Sequence, residues 1–166
     1  MRTPAGAMVL AFCLGTNVLD ANAADPCAGA SDNLVLVLSV EHRAHLCAQG
    51  RSARDYSVRL GSRGTGKTKA GDEKSPVGTY SLGTPRVSKK YGLFIPIGYP
   101  TKEQLRKGYS GAAVGLHGPG RAVAWLGRLN NVFDTTDGCI GIASDKEMEE
   151  IAEWVKTNHV TRIRIE

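Results

Sequence analysis

Two short pieces of this chain carry residues suited to covalent chemistry: LHGPG around His117 and TTDGCIGI around Cys139. A free cysteine has a pKa of about 8.5, so little of it is thiolate at neutral pH. An imidazole beside it can take the proton, leaving a thiolate–imidazolium pair able to attack a carbonyl. His117 ends an apolar run and is flanked by Gly118 and Gly120, while Cys139 follows Gly138 and leads into another apolar run. Two adjacent strands ending side by side would bring the two groups together. Gly138 keeps the backbone before the sulfur uncluttered, so that N–H groups there can face an incoming carbonyl as an oxyanion hole. The Thr136 hydroxyl is placed to orient the site. His42, His45 and His159 are rival bases, but none stands beside glycines at a strand end, and they read as surface or structural residues.

A second pattern competes for attention. GSRGTGKT, residues 61–68, fits the phosphate-binding loop G-x-x-x-x-G-K-[ST] letter for letter. Such a loop works by context: a buried parallel strand enters it, and a helix starting at the Lys-Ser/Thr pair turns its free N–H groups to the phosphates. Here the entering run RDYSVRL alternates apolar and polar, as a half-exposed antiparallel strand does. The residues after Thr68 include Gly71, Pro76 and Gly78, which leave no room for a useful helix. The segment reads as a glycine-rich surface loop, and nucleotide is not an expected partner.

The chain opens with Arg2, a mostly apolar run from Ala7 to Leu19, and the small-x-small triplet ending at Ala23. That is the layout of a secretory signal peptide over residues 1–23, and its apolar run is shorter than the about 20 residues a membrane-spanning helix needs. Residues 24–166 then form one domain, exported and with no stable membrane span. Cys27, Cys47 and Cys139 remain, an odd number, so one thiol is unpaired. Cys27 lies before the first strand and Cys47 near the end of the second; a disulfide between them is compatible with that order, but sequence does not settle it. Cys139 would be the leftover, either an inert core thiol or a nucleophile. The net charge is +5, and Arg2 and Asp20 cancel, so the exported part is equally basic. Outside the cytoplasm an anionic wall polymer suits that charge better than nucleic acid.

These groups need a scaffold. Runs at 33–40, 42–47 and 54–60 read as an antiparallel meander, followed by a loop over 61–78, a strand at TYSLG and one or two more within 91–99. Thr101 and Gln104 form a capping box that opens a short helix ended by Gly108. A strand is expected over 112–118, and after an irregular stretch TTDGCIGI, 135–142, leads from Cys139 into another apolar strand. A second helix follows Ser144, with Met148, Ile151, Ala152 and Val155 as its core stripe, and VTRIRIE closes the chain as a strand. Many strands, two short helices and little βαβ alternation predict a mainly β domain, a mixed sandwich or barrel.

The chain resembles the L,D-transpeptidase catalytic domain, the YkuD-like family. His117-Gly118, a spacer, and Thr136-Asp137-Gly138-Cys139-Ile140 match that family's His-Gly … Ser/Thr-x-Gly-Cys signature. Upstream, GDEKSPVGTY is similar to its Gly-Asp … Thr-Pro-x-Gly-x-Tyr segment, with Ser75 in the threonine position, and IGYPTKEQ to its Tyr-Pro stretch. Many members carry Arg two residues after the cysteine and His or Ser two before it; this chain has Gly141 and Asp137. The resemblance covers about residues 33–166 and implies the family's mixed β fold. It also implies action on peptidoglycan stem peptides, hence a place in cell-wall organisation and cell shape, in the periplasm or cell envelope. Cys139 would be the nucleophile, His117 the base and then acid, and Gly138 the oxyanion backbone. Thr136 would orient the site, with Gly118, Asp137 and Gly141 at the substrate. No metal or organic cofactor is implied, and an envelope protein is a possible acyl acceptor. Lys67 and Lys69 are candidates for meeting acidic stem peptides. Hydrolysis on the same scaffold and a non-catalytic wall-binding module stand as alternatives.

Overall fold

The computed structural model describes residues 24–121 and 134–166; the expected signal peptide, residues 1–23, lies outside them. The meander forms as expected: β1 (Leu34–Leu38), β2 (Arg43–Ala48) and β3 (Arg51–Arg59) pair antiparallel in turn. β3 begins before residue 54 because Gln49 (φ 50) and Gly50 (φ 75) alone make the turn, a two-residue hairpin connection with both residues left-handed. β1 reads LVLVL because both its faces are covered. Val35 and Val37 enter the main core, while Leu34 and Leu36 enter a small cluster with Cys27, Ala30 and Cys47.

The Cys27–Cys47 disulfide is made, with Cα atoms 5.4 Å apart and a sequence separation of 20, and Cys139 is the free thiol. Its loop closure predicts that Cys27→Ala/Cys47→Ala loses about 3 kcal/mol of stability in urea unfolding. A loss below about 1 kcal/mol would show that packing alone holds this corner.

The remaining elements are β4 (Gly78–Ser81), β5 (Arg86–Ser88), β6 (Gly92–Pro96), α1 (Lys102–Arg106), β7 (Gly115–His117), β8 (Ile140–Ile142), α2 (Asp145–Thr157) and β9 (Arg162–Ile165). The nine strands among the described residues make one sheet in the order β4-β9-β1-β2-β3-β8-β7-β6-β5. It is mixed: β1–β9 and β7–β8 are parallel and the other pairs antiparallel. The sheet curls until the segment after β4 meets the end of β6. There Leu82 bridges Ile97, and the Gly83 and Gly98 N–H groups donate to the Pro96 and Ser81 carbonyls at 2.8 and 2.9 Å. The enclosed core includes Leu46, Val58, Leu116, Ile140, Ile142 and Ile163.

Both helices start as predicted. The Thr101 capping box opens α1, and the Ser144 hydroxyl accepts from the Glu147 N–H at the start of α2. The four residues of the expected stripe are buried, and α2 packs on β6 and β8. Strand β7 is shorter than the run that predicted it, and β8 starts right after Cys139, as expected. Gly111 (φ 110) and Ala113 (φ 58) break the run before β7, and Gly138 (φ 119) precedes the start of β8.

Candidate active site

β7 and β8 run side by side and parallel, with Leu116 opposite Ile140 and His117 opposite Gly141. Side chains alternate along a strand. Leu116, Ile140 and Ile142 fill the core, so His117, Gly141 and Cys139 belong to the other face. There His117 and Cys139 line one cleft of about 760 Å3, with Arg59, Lys67, Lys90, Tyr91 and Asp137 also on its wall.

The histidine is held firmly. It is buried, Tyr91 stacks on it with ring centroids 3.7 Å apart, and its Nδ1 lies 2.7 Å from the Gly118 carbonyl oxygen. A carbonyl only accepts, so Nδ1 carries the proton and the neutral ring keeps Nε2 as its acceptor. Gly118 lies buried behind the ring, outside the residues lining the cleft; its carbonyl fixes the tautomer.

Cys139 sits at the end of a tight turn. The Thr136 hydroxyl accepts from the Gly138 N–H at 3.1 Å and donates to the Cys139 carbonyl at 2.6 Å, so one side chain pins both ends of the turn. This commits the Gly138 N–H, one of the two amides expected to face a carbonyl. Gly138 needs its positive φ, and a Cβ on it would stand 2.5 Å from the Lys74 carbonyl oxygen. The Cys139 thiol donates to the Ala113 carbonyl oxygen at 3.5 Å. Asp137 is exposed at the cleft.

Burial lowers the His117 pKa to about 4; the Gly118 hydrogen bond opposes the shift, and Arg59 and Lys90 add to it. Burial pushes the Cys139 thiol up, against the Gly115 backbone hydrogen bond. Both shifts favour the uncharged forms at neutral pH, so no preformed thiolate–imidazolium pair is expected. Iodoacetamide alkylation of Cys139 should accordingly rise about tenfold per pH unit between about pH 6 and 8, as the thiolate fraction of an unperturbed or raised thiol does. A rate flat across that range would show a preformed pair.

The loop with the nucleotide-like pattern is a wall of this site. Gly61 bridges Thr136, the Ser62 N–H donates to the Thr136 carbonyl, and Ser75 is buried with its hydroxyl accepting from the Gly61 N–H. Its amides already hold an anion: Asp72 accepts from Thr68 N at 2.8 Å, Lys69 N at 3.0 Å and Lys74 N at 3.3 Å, and pairs with Lys67 Nζ at 2.8 Å. A carboxylate of the chain itself thus occupies the place a phosphate would need, and no helix follows Thr68. Lys67 points inward to that pair, while Lys69 is exposed.

Of the rival histidines, His42 pairs with Asp134 at 3.4 Å, His45 bonds Ser52 at 2.9 Å, and neither they nor His159 line this cleft. The sequence reading missed Tyr91 and Arg59. Arg59 alternates with Tyr56 and Val58 along β3 and so reads as a solvent-facing residue, yet it is 7% exposed. Among the described residues no helix is long and apolar enough to cross a membrane.

The L,D-transpeptidase catalytic domain (YkuD) family matches residues 32–165. The helical cell shape determining protein Pgp2 from Campylobacter jejuni is 25% identical, with a TM-score of 0.65 over 81% of this chain and 48% of that one. Bd1075 from Bdellovibrio bacteriovorus is 19% identical, with a TM-score of 0.58 over 81% and 47%. A cysteine-to-serine variant of an Enterococcus faecium L,D-transpeptidase is 14% identical, with a TM-score of 0.53 over 81% and 50%. The last two show the fold. This chain spans about half the length of these structures. No curated protein sequence matches it.

Proposed function

The chain belongs to the L,D-transpeptidase catalytic-domain family, and from that premise we propose that it transfers acyl groups of peptidoglycan stem peptides through a thioester on Cys139. One observation carries the reading: β7 and β8 put His117 and Cys139 on one face of the sheet at one cleft, with Nδ1 of the imidazole already donating to Gly118. Nε2 is then the ring nitrogen left to accept the thiol proton.

In the first step Nε2 takes the Sγ proton while sulfur bonds to the carbonyl carbon between an L-centre and a D-amino acid. The oxyanion is held by the backbone of the Gly138–Cys139 turn. With the Gly138 N–H bonded to Thr136, the Cys139 N–H takes the larger share. As the tetrahedral adduct collapses, the C–N bond breaks and Nε2–H protonates the leaving amine. An acceptor amine then attacks the thioester carbonyl, His117 removes its extra proton, and the thiol is restored. The acceptor is a second stem peptide or an envelope protein; water in its place gives hydrolysis.

The cleft carries Arg59, Arg86 and Lys90 against Asp137, with Lys67 balanced by Asp72, and the surplus favours peptides bearing carboxylates. Residues 1–23 act as the export signal for the domain at 24–166, which works in the periplasm or cell envelope. The likeness to a cell shape determining protein supports a role in cell-wall organisation and cell shape.

Incubation of the protein with purified tetrapeptide muropeptides, followed by mass spectrometry, tests this. A product joined through an L-centre supports transfer. A trimmed tripeptide as the sole product, even with acceptor amine in excess, makes the chain a hydrolase. Wall binding with no product and an unreacted Cys139 makes it a binding module.

A further inference from the structure

Asp137 stands on the cleft wall two places before Cys139. Two residues of chain span at most about 7 Å, so its side chain starts close to that of the cysteine. The turn between them is fixed: the Thr136 hydroxyl accepts from the Gly138 N–H and donates to the Cys139 carbonyl, and Gly138 holds a positive φ of 119. Asp137 is exposed at the cleft, and no ion pair among the described residues engages it. Its charge reaches the sulfur. Burial is the larger cause pushing the Cys139 thiol up, and the Asp137 carboxylate adds to it.

The cations of the cleft are engaged elsewhere. Lys67 pairs with Asp72 at 2.8 Å, and Arg59 donates to the Thr135 hydroxyl at 3.2 Å. Arg86 lies 5.3 Å from the centroid of the Phe94 ring, and Lys90 lies 4.9 Å from that of Tyr91. Among the described residues lining the cleft, Asp137 is the one acid. A carboxylate with no ion-pair partner of its own thus faces a cleft whose surplus charge is positive. For a cation entering that cleft, the place beside Asp137 is attractive and the remainder of the wall repels it.

The second substrate of acyl transfer is such a cation. A lysine-type amine has a pKa of about 10.4 and arrives as an ammonium, whereas water, which competes for the same thioester, is neutral. We propose that the Asp137 carboxylate is the landing site of the acceptor's ammonium beside Cys139, and that it tips the thioester towards transfer and away from hydrolysis. Held there, the ammonium gives one proton to solvent. The neutral amine attacks the thioester carbonyl, and its surplus proton passes through His117 to the departing sulfur. This rests on the acyl-transfer reading above and adds to it a residue that chooses between the acceptors.

The test is the ratio of transfer to hydrolysis on a stem tetrapeptide, read by mass spectrometry with either Nα-acetyl-lysine amide or hydroxylamine as acceptor. At neutral pH the first is cationic and the second uncharged. Asp137→Asn should lower the ratio about three- to fivefold with the lysine amide, the size of one exposed ion pair, and should not lower it with hydroxylamine. Asp137→Lys should lower the lysine-amide ratio further, because repulsion replaces attraction. An aspartate with a merely structural role would move both ratios together, or slow transfer and hydrolysis alike, and either result overturns the proposal.

A second readout does not need acyl transfer. A methanethiosulfonate gives its alkylthio group to a thiolate, forming a disulfide and releasing methanesulfinate. The trimethylammonioethyl reagent and its neutral hydroxyethyl analogue draw on the same thiolate, so the ratio of their rates reports the charge beside Cys139 and not the thiol's pKa. Asp137→Asn should lower the cationic-to-neutral ratio about three- to fivefold. That fall supports the cation site even if no stem peptide is turned over, in which case only the acyl-transfer reading fails. A ratio that Asp137→Asn leaves unchanged overturns the cation site even if stem peptides are turned over.

Discussion

Replacing Cys139 by alanine should lower turnover of stem peptides by a factor on the order of 10⁴ or more, to the background set by binding alone. The size follows from the site. A thioester needs sulfur, and Cys139 is the one free cysteine among the described residues; the neighbouring Thr136 hydroxyl is committed to the Gly138 N–H and the Cys139 carbonyl. The loss should be chemical and not structural. Cys139 is half-buried at the end of the turn, and the exchange removes one sulfur from a site open to the cleft, so unfolding in urea should shift by less than about 1 kcal/mol. Kinetics on muropeptides and urea titration of the same preparation check both halves. Cys139→Ala retaining more than about a tenth of wild-type turnover would remove cysteine from the mechanism.

Asp72→Ala should be the most destabilising single change in the site's walls, costing about 3–5 kcal/mol, or roughly 10 °C in Tm for a domain of this size. The carboxylate answers Lys67 Nζ and three backbone amides, and the side chains of Lys67 and Asp72 are 4% and 9% exposed. Removing it strands a buried ammonium beside Gly138. Burial alone would raise the Asp72 pKa, but the hydrogen bonds from Lys67, Lys69, Thr68 and Lys74 outweigh it and hold the carboxyl far below its ordinary value of 3.8. The sign follows from that depression: the contribution is fully present above the unfolded value and is lost as pH falls through the folded one. The difference between wild type and Asp72→Ala in urea should therefore be full at neutral pH and shrink in strong acid. Lys67→Met/Asp72→Leu should be less harmful than Asp72→Ala alone, since apolar side chains replace a buried pair more cheaply than they replace half of one. A cost below about 1 kcal/mol for Asp72→Ala would mean that the loop does not depend on the pair.

The parts of the site that sequence exposes are those with local signatures. His117 and Cys139 stand beside glycines at strand ends, and the parallel pairing of β7 and β8 turns that spacing into shared orientation. Thr136 was legible as an orienting hydroxyl, though not that it would take up the Gly138 N–H. The meander, the capping of both helices and the stripe on α2 follow from period and end signals. Arg59 was illegible because alternation along β3 sends it away from the core face of that strand. Its burial comes from the cleft wall assembled around it and from a glycine far along the chain. The departure at Gly141 marked the place without saying what would fill it, and it reads in the structure as room for that guanidinium. The pattern at 61–68 misleads because it specifies glycines and a lysine but not the anion they serve, which here is Asp72. β5 gave little signal for a similar reason: Val87 is 86% exposed on a three-residue edge strand.

The most direct test of a covalent sulfur intermediate is the intact mass of the full chain, acid-quenched within its first turnovers on a tetrapeptide without acceptor amine. The protein should gain the mass of the stem tripeptide acyl group, carried on the peptide that contains Cys139 and released by hydroxylamine, and Cys139→Ala should gain nothing. Product formation at the full rate while the protein mass stays unchanged, or an adduct on any other residue, would contradict the thioester at the centre of this account.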